Sequence, residues 1–139
     1  MHWAVQYLGK PWKDGAVGPD FYDCWGLAVW VLREHFNTPL PPRPAVLSED
    51  DKQVVKLMFG KDGNSSRWKA IEKPVDGCLV AMAGSKYSRL HVGVYLDVDG
   101  GKVLHCQQGK GTVAQSLDDL RFRDHTPLIH FLQYHGNRS

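Results

Sequence analysis

Residues 24–36, CWGLAVWVLREHF, are apolar on nearly every side of a helix, with only Arg33 and Glu34 breaking the run. A helix of that kind cannot lie on a surface; it is central and buried, with the rest of the chain folded against it. The material to cover it comes later in the sequence. GCLVAM, HVGVYLDV, KVLHCQ, TVAQS and PLIHFLQY are short β-type runs separated by Gly and Asp turns. Helix first and strands second predicts an α+β fold, with an antiparallel sheet packed on the buried helix.

The flanking segments add detail. Residues 2–8 suit a short helix with Trp3, Ala4, Tyr7 and Leu8 on one side. GKPWKDGAVGPD, 9–20, reads as an ordered loop because Gly and Pro interrupt any periodicity. NTPLPPRPAVLS holds four of the chain's eight prolines and is extended, with residues 38–44 able to cover a neighbouring site. Ser48 with Asp51 resembles a capping box that opens a helix through about Phe59. Pro74 to Gly77 is expected to be the hinge between the helical and β halves.

Length and charge narrow the function. A chain of 139 residues with 42% hydrophobic content supports one domain with one core, spanning 1–139. Its net charge of +2 comes from scattered Lys and Arg, so no nucleic-acid partner is expected. No segment reaches membrane-spanning length, and MHWAVQYLGK is not built as a signal peptide, so synthesis in the cytoplasm without membrane insertion is expected. The three cysteines, 24, 78 and 106, are then reduced thiols. With no C-x-x-C or H-x-x-x-H spacing, neither a metal nor an organic cofactor is expected.

Cys24 opens the apolar helix, and Asp23 stands at the N-cap position. The first turn of a helix favours negative charge, which lowers a thiol's pKa and supplies N–H donors for an oxyanion. Taken alone, Cys24 still reads as a core cysteine, since Cys is among the most buried residue types. A nucleophile needs a base, and the base needs a group to orient it. His91 and His105 are the candidates; His2, His35, His125, His130 and His135 lie at ends or crowd the last strand and tail.

Those two histidines sit in consecutive strands joined through DVDGG, so turn length decides whether their rings meet. A two-residue Asp99-Gly100 turn pairs Val98 with Gly101 and puts the rings on opposite faces. A three-residue loop, 98–100, pairs Asp97 with Gly101 and Gly93 with His105, with Gly100 in the left-handed conformation. His91 and His105 then become diagonal neighbours on one face, roughly 7 Å apart at Cβ. Gly93 opposite His105 leaves space for the ring, and the second register is the expected one.

These segments resemble the NlpC/P60 cysteine peptidases of the papain-like superfamily over nearly the whole chain. YLGKPW and the following loop resemble the family's opening segment, and FYDCWGL its Asp-Cys-Ser-Gly nucleophile motif. KPVDGCLVAM, LHVGVYL and KVLHCQQGKGTV resemble, in order, its Pro-Gly-Asp-Leu-Val, His-Val-Gly-Ile-Tyr and second histidine strands. The resemblance implies a papain-like fold, N-terminal helices on a C-terminal antiparallel sheet or half-barrel. It implies Cys24 as nucleophile, His91 as general base and His105 as the residue that holds the His91 ring. It also implies a substrate-binding set of Asp23, Trp12 and Tyr22, with Asp23 able to recognise a substrate amine.

The implied activity is hydrolysis of the γ-D-glutamyl–diamino acid bond in peptidoglycan stem peptides, without a cofactor. Departures from the family pattern refine this. Trp12 stands where the family carries Tyr, Cys78 where it often has Asp, and Trp25 where Ser is common. The DCWGL variant resembles those of phage and prophage tail proteins, which implies a virion-tail enzyme acting in the periplasm or cell wall beside other tail proteins. Rival readings are a non-catalytic tail-tip component and a CHAP-type amidase. Cys106, next to His105, is expected to face the core, and Cys78 to serve strand packing.

Overall fold

The computed structural model describes residues 2–40, 68–84, 87–123 and 128–135. The helix expected from Ser48, and residues 41–44 of the proline-rich segment, lie outside them. A 3₁₀ turn, Trp3–Tyr7, precedes the single α-helix of the described residues, α1 (Cys24–Phe36). Six strands follow: β1 (Trp68–Ile71), β2 (Leu79–Gly84), β3 (Tyr87–Leu96), β4 (Lys102–Gln107), β5 (Gly111–Gln115) and β6 (Leu128–Tyr134). They form one sheet in the order β1-β6-β2-β3-β4-β5, antiparallel at every pairing. The α+β reading therefore holds.

Helix α1 has the bounds its sequence predicts, and both ends have a local cause. Asp23 accepts the Gly26 N–H at the start. Asn37 adopts a left-handed conformation at the end, φ 49°, and the Leu32 carbonyl accepts from the Asn37 and Thr38 N–H groups. Trp25, Leu27, Ala28, Val31 and Leu32 are buried, packing with Leu79, Val92, Val94 and Leu104 of the sheet. Removing each Val or Leu side chain among them from water contributes about 1.5–3 kcal/mol. A second core joins Val80, Met82, Val103 and Phe131, on alternate strand positions, with Cys78 just before β2 and Leu120 outside the strands.

Strand β1 was not expected from the sequence. Only Trp68 and, partly, Ile71 are buried in it, so it has no alternating signature, and it exists because β6 returns to pair with it. Its presence also corrects the hinge. Pro74 to Gly77 joins β1 to β2 inside one sheet, not the helical half to the β half.

The β3–β4 hairpin has the expected register. Val94 pairs with Leu104, Tyr95 with Val103 and Leu96 with Lys102, which carries Gly93 to a position opposite His105. A Cβ on Gly93 would lie 3.0 Å from the His105 Cβ and 2.8 Å from the Leu104 carbonyl, so only glycine fits. The device differs from a plain three-residue loop. Asp99 (φ 50°) and Gly100 (φ 82°) form a tight two-residue turn closed by Gly101 N–H to the Val98 carbonyl at 2.9 Å. Asp97 is the extra residue, and its N–H leaves the ladder to donate to Asp76 Oδ1 at 2.9 Å.

Candidate active site

Cys24 is the first residue of α1 and half-buried. Both oxygens of the preceding carboxylate are in use: Asp23 Oδ1 accepts from Gly26 N–H at 2.7 Å and Oδ2 from Gly15 N–H at 3.0 Å. The first bond caps the helix, and the second fastens the 9–20 loop to the same point. Asp23 N–H in turn donates to the Ala16 carbonyl at 3.0 Å. A Cβ at Gly26 would come within 2.1 Å of that carbonyl oxygen. Asp-Cys-x-Gly is thus the local code for holding a thiol at the positive end of a helix against a loop.

Trp12 and Tyr22 are joined by an isolated parallel bridge. Tyr22 N–H donates to the Pro11 carbonyl at 3.1 Å, and Lys13 N–H donates to the Tyr22 carbonyl at 3.0 Å. The Tyr22 ring is only 2% exposed and packs edge-on to Tyr7 and Trp30; burial raises its pKa. Trp12 is partly buried against the same core. Asp23 and Tyr22 are therefore buried framework at this junction, and Trp12 alone of the three keeps appreciable surface. Residues 13–21 line an open cavity of about 390 Å³ beside it.

The histidines meet as the register requires. His91 Nε2 and His105 Nδ1 are 2.7 Å apart, with ring centroids 4.9 Å apart and nearly perpendicular planes. His105 is fully buried and His91 is 7% exposed. On its other side, His105 Nε2 lies 2.6 Å from Gln115 Oε1. An amide oxygen only accepts, so His105 Nε2 carries a proton and, in the neutral ring, Nδ1 accepts. His91 Nε2 must then donate to it, which places the neutral His91 lone pair on Nδ1. The chain Gln115–His105–His91 fixes one tautomer of His91.

Gln115 escaped the sequence reading, which took TVAQS only as a strand. The signal was available in two successive hairpins: His105 pairs with Val113, and Gln115 is the next residue on that face.

Cys106 points the other way, as expected. It is buried with the α1-facing core, and its thiol donates to the Tyr22 carbonyl at 3.2 Å. This bond ties the strand of His105 to the segment that carries Cys24. Burial pushes the Cys106 thiol up, and pushes Cys78, in the second core, up to about 11. Cys78 has the packing role expected of it.

The structure thus assembles two groups: His91 with His105, and Trp12, Tyr22 and Asp23 around the Cys24 turn. The Cys106–Tyr22 bond links them. A model of the NlpC/P60 family matches residues 9–129, a span that takes in both groups. No curated protein matches the chain.

Proposed function

The chain belongs to the NlpC/P60 family, and on that premise we propose that it is a cysteine peptidase that hydrolyses peptidoglycan stem peptides. Families of this kind comprise cysteine peptidases and amidases, which makes peptidoglycan hydrolysis the coarse function. The observation that carries the finer reading is the His91–His105 hydrogen bond at 2.7 Å, braced by Gln115, in a chain that also presents Cys24 at a capped helix start. A packing domain has no use for two buried imidazoles locked in one tautomer.

In this reading His91 Nδ1 takes the Cys24 proton, giving a thiolate in the field of the α1 N-terminus. The thiolate attacks the scissile carbonyl, and first-turn N–H donors, that of Cys24 among them, hold the oxyanion. His91 returns its proton to the departing amine as the C–N bond breaks. Water then attacks the thioester with His91 as base, and the Cys24 sulfur leaves. His105 keeps the ring in place throughout. The scissile bond is the γ-D-glutamyl–diamino acid amide, with Trp12 and the 13–21 cavity on the substrate side and Asp23 and Tyr22 shaping that side from beneath. The setting is a phage or prophage tail, within one papain-like domain, acting on the cell wall.

Digestion of purified stem peptides by the parent protein and by Cys24→Ala tests this, with products identified by mass. Cleavage between D-glutamate and the diamino acid by the parent alone is expected. Cleavage at another bond would move the assignment to an amidase and implicate Trp12. No cleavage by folded protein would leave the non-catalytic tail role as the better account.

A further inference from the structure

Gln107 ends β4, two residues beyond His105 and on the same face of the strand. Its side chain is 8% exposed, yet Oε1 has no hydrogen-bond partner among the described residues. Burying an amide oxygen without a partner is costly, so folded chains seldom retain one without a use for it. Gln115, on the neighbouring strand, makes the contrast: its Oε1 is taken by His105.

The position of Gln107 suggests what takes its oxygen. The β3–β4 ladder runs as far as Val94–Leu104, and His105, two residues before Gln107 on the same face of β4, is hydrogen-bonded to His91, so Gln107 lies next beyond the histidine pair. On the other side Gln107 pairs with Gly111, and the adjacent Thr112 N–H donates to the Lys10 carbonyl at 2.9 Å. Lys10 and Pro11 lead directly into Trp12. Gln107 therefore stands between the candidate base and the loop that reaches the Cys24 turn.

We propose that Gln107 is a substrate-binding residue whose Oε1 accepts a hydrogen bond from an amide N–H of the bound peptide, beside His91. The inference rests on the peptidase reading above and adds a recognition group to it. The acceptor is neutral, so its complement is a neutral donor such as a peptide N–H; an ammonium group would be met better by a carboxylate. The oxygen is out of water in the free protein, so the peptide reaches it by a rotation of the Gln107 amide toward the site, and the bond then gained satisfies an acceptor the fold leaves open.

The test is Gln107→Met, similar in length and without the acceptor, assayed on the tetrapeptide L-Ala-γ-D-Glu-diaminopimelate-D-Ala. KM should rise about tenfold, the worth of one hydrogen bond to a buried partner, with the melting temperature unchanged or raised. Alkylation of Cys24 by iodoacetamide should keep its parent rate, since the histidine pair is untouched. An unchanged KM would overturn the inference while leaving the peptidase reading intact. A second measurement depends neither on turnover nor on the folding of Gln107→Met: the Gln107 ¹³Cδ resonance in Cys24→Ala, titrated with the same tetrapeptide. A downfield shift on saturation is expected, and none would overturn the proposal. If the parent protein cleaves nothing, the peptidase reading fails, and this titration alone decides whether Gln107 binds peptide.

Discussion

Over residues 91–94 of β3 and 104–107 of β4 both faces are dry, and they differ in chemistry. Val92, Val94, Leu104 and Cys106 face α1 in an apolar core, while His91, Gly93, His105 and Gln107 alternate with them on the other side. The first face exchanges apolar area for stability, a non-directional gain that tolerates any side chain of the right volume. The second buries polar atoms whose desolvation is offset only by specific partners: His105 spends one nitrogen on His91 and the other on Gln115. The groups proposed to act in catalysis lie where burial is directional, and adjacent residues 104 and 105 belong to different regimes.

Mutation of that adjacent pair is the sharpest way to break the comparison. His105→Leu should lower kcat/KM about 10²–10⁴-fold, because His91, the proposed base, loses its tautomer lock. It should also destabilise the fold, since His91 Nε2 and Gln115 Oε1 both lose their partner; urea melts and stem-peptide kinetics read the two effects. Leu104→Ala should cost about 2–5 kcal/mol of stability, with kcat per folded molecule near that of the parent. If Leu104→Ala lowered kcat as far as His105→Leu, the separation of the faces would be wrong.

Gln115→Met should act more gently, lowering kcat about tenfold with little change in KM and displacing the pH–rate profile. A KM effect without a profile change would make Gln115 a substrate contact and not a support for His105.

The cysteines sharpen the comparison further. Iodoacetamide at pH 8 should label Cys24 and spare Cys78 and Cys106, which burial keeps protonated; peptide mass mapping checks this, and labelling in urea should reach all three. The smallest effect concerns alkaline stability. Cys78 titrates near 11 when folded against an ordinary 9.0, so its contribution is fully present below pH 9. As pH rises from 9 to 11 the unfolded chain ionises first, and stability falls. The urea midpoint should decline over that window, less steeply in Cys78→Ala.

What could be read from sequence was whatever rests on local periodicity and turn chemistry. The bounds of α1 follow from an apolar run between Asp23 and Asn37. The strands β2 to β6 follow from short β-type runs between Gly and Asp turns. The meeting of His91 and His105 follows from a register set within the fifteen residues from 91 to 105 by DVDGG and permitted by Gly93. Other features waited on tertiary structure. β1 has too few buried positions to announce itself and is a strand only because β6 passes between it and β2. The double use of Asp23 depends on the 9–20 loop folding back on α1. Gln115 becomes the brace of His105, and Gln107 is left with an unused acceptor, through contacts across separate hairpins. A hydrogen bond is decided by tenths of an ångström and by angle, and those are set by sheet twist and packing, which no pattern along the chain encodes.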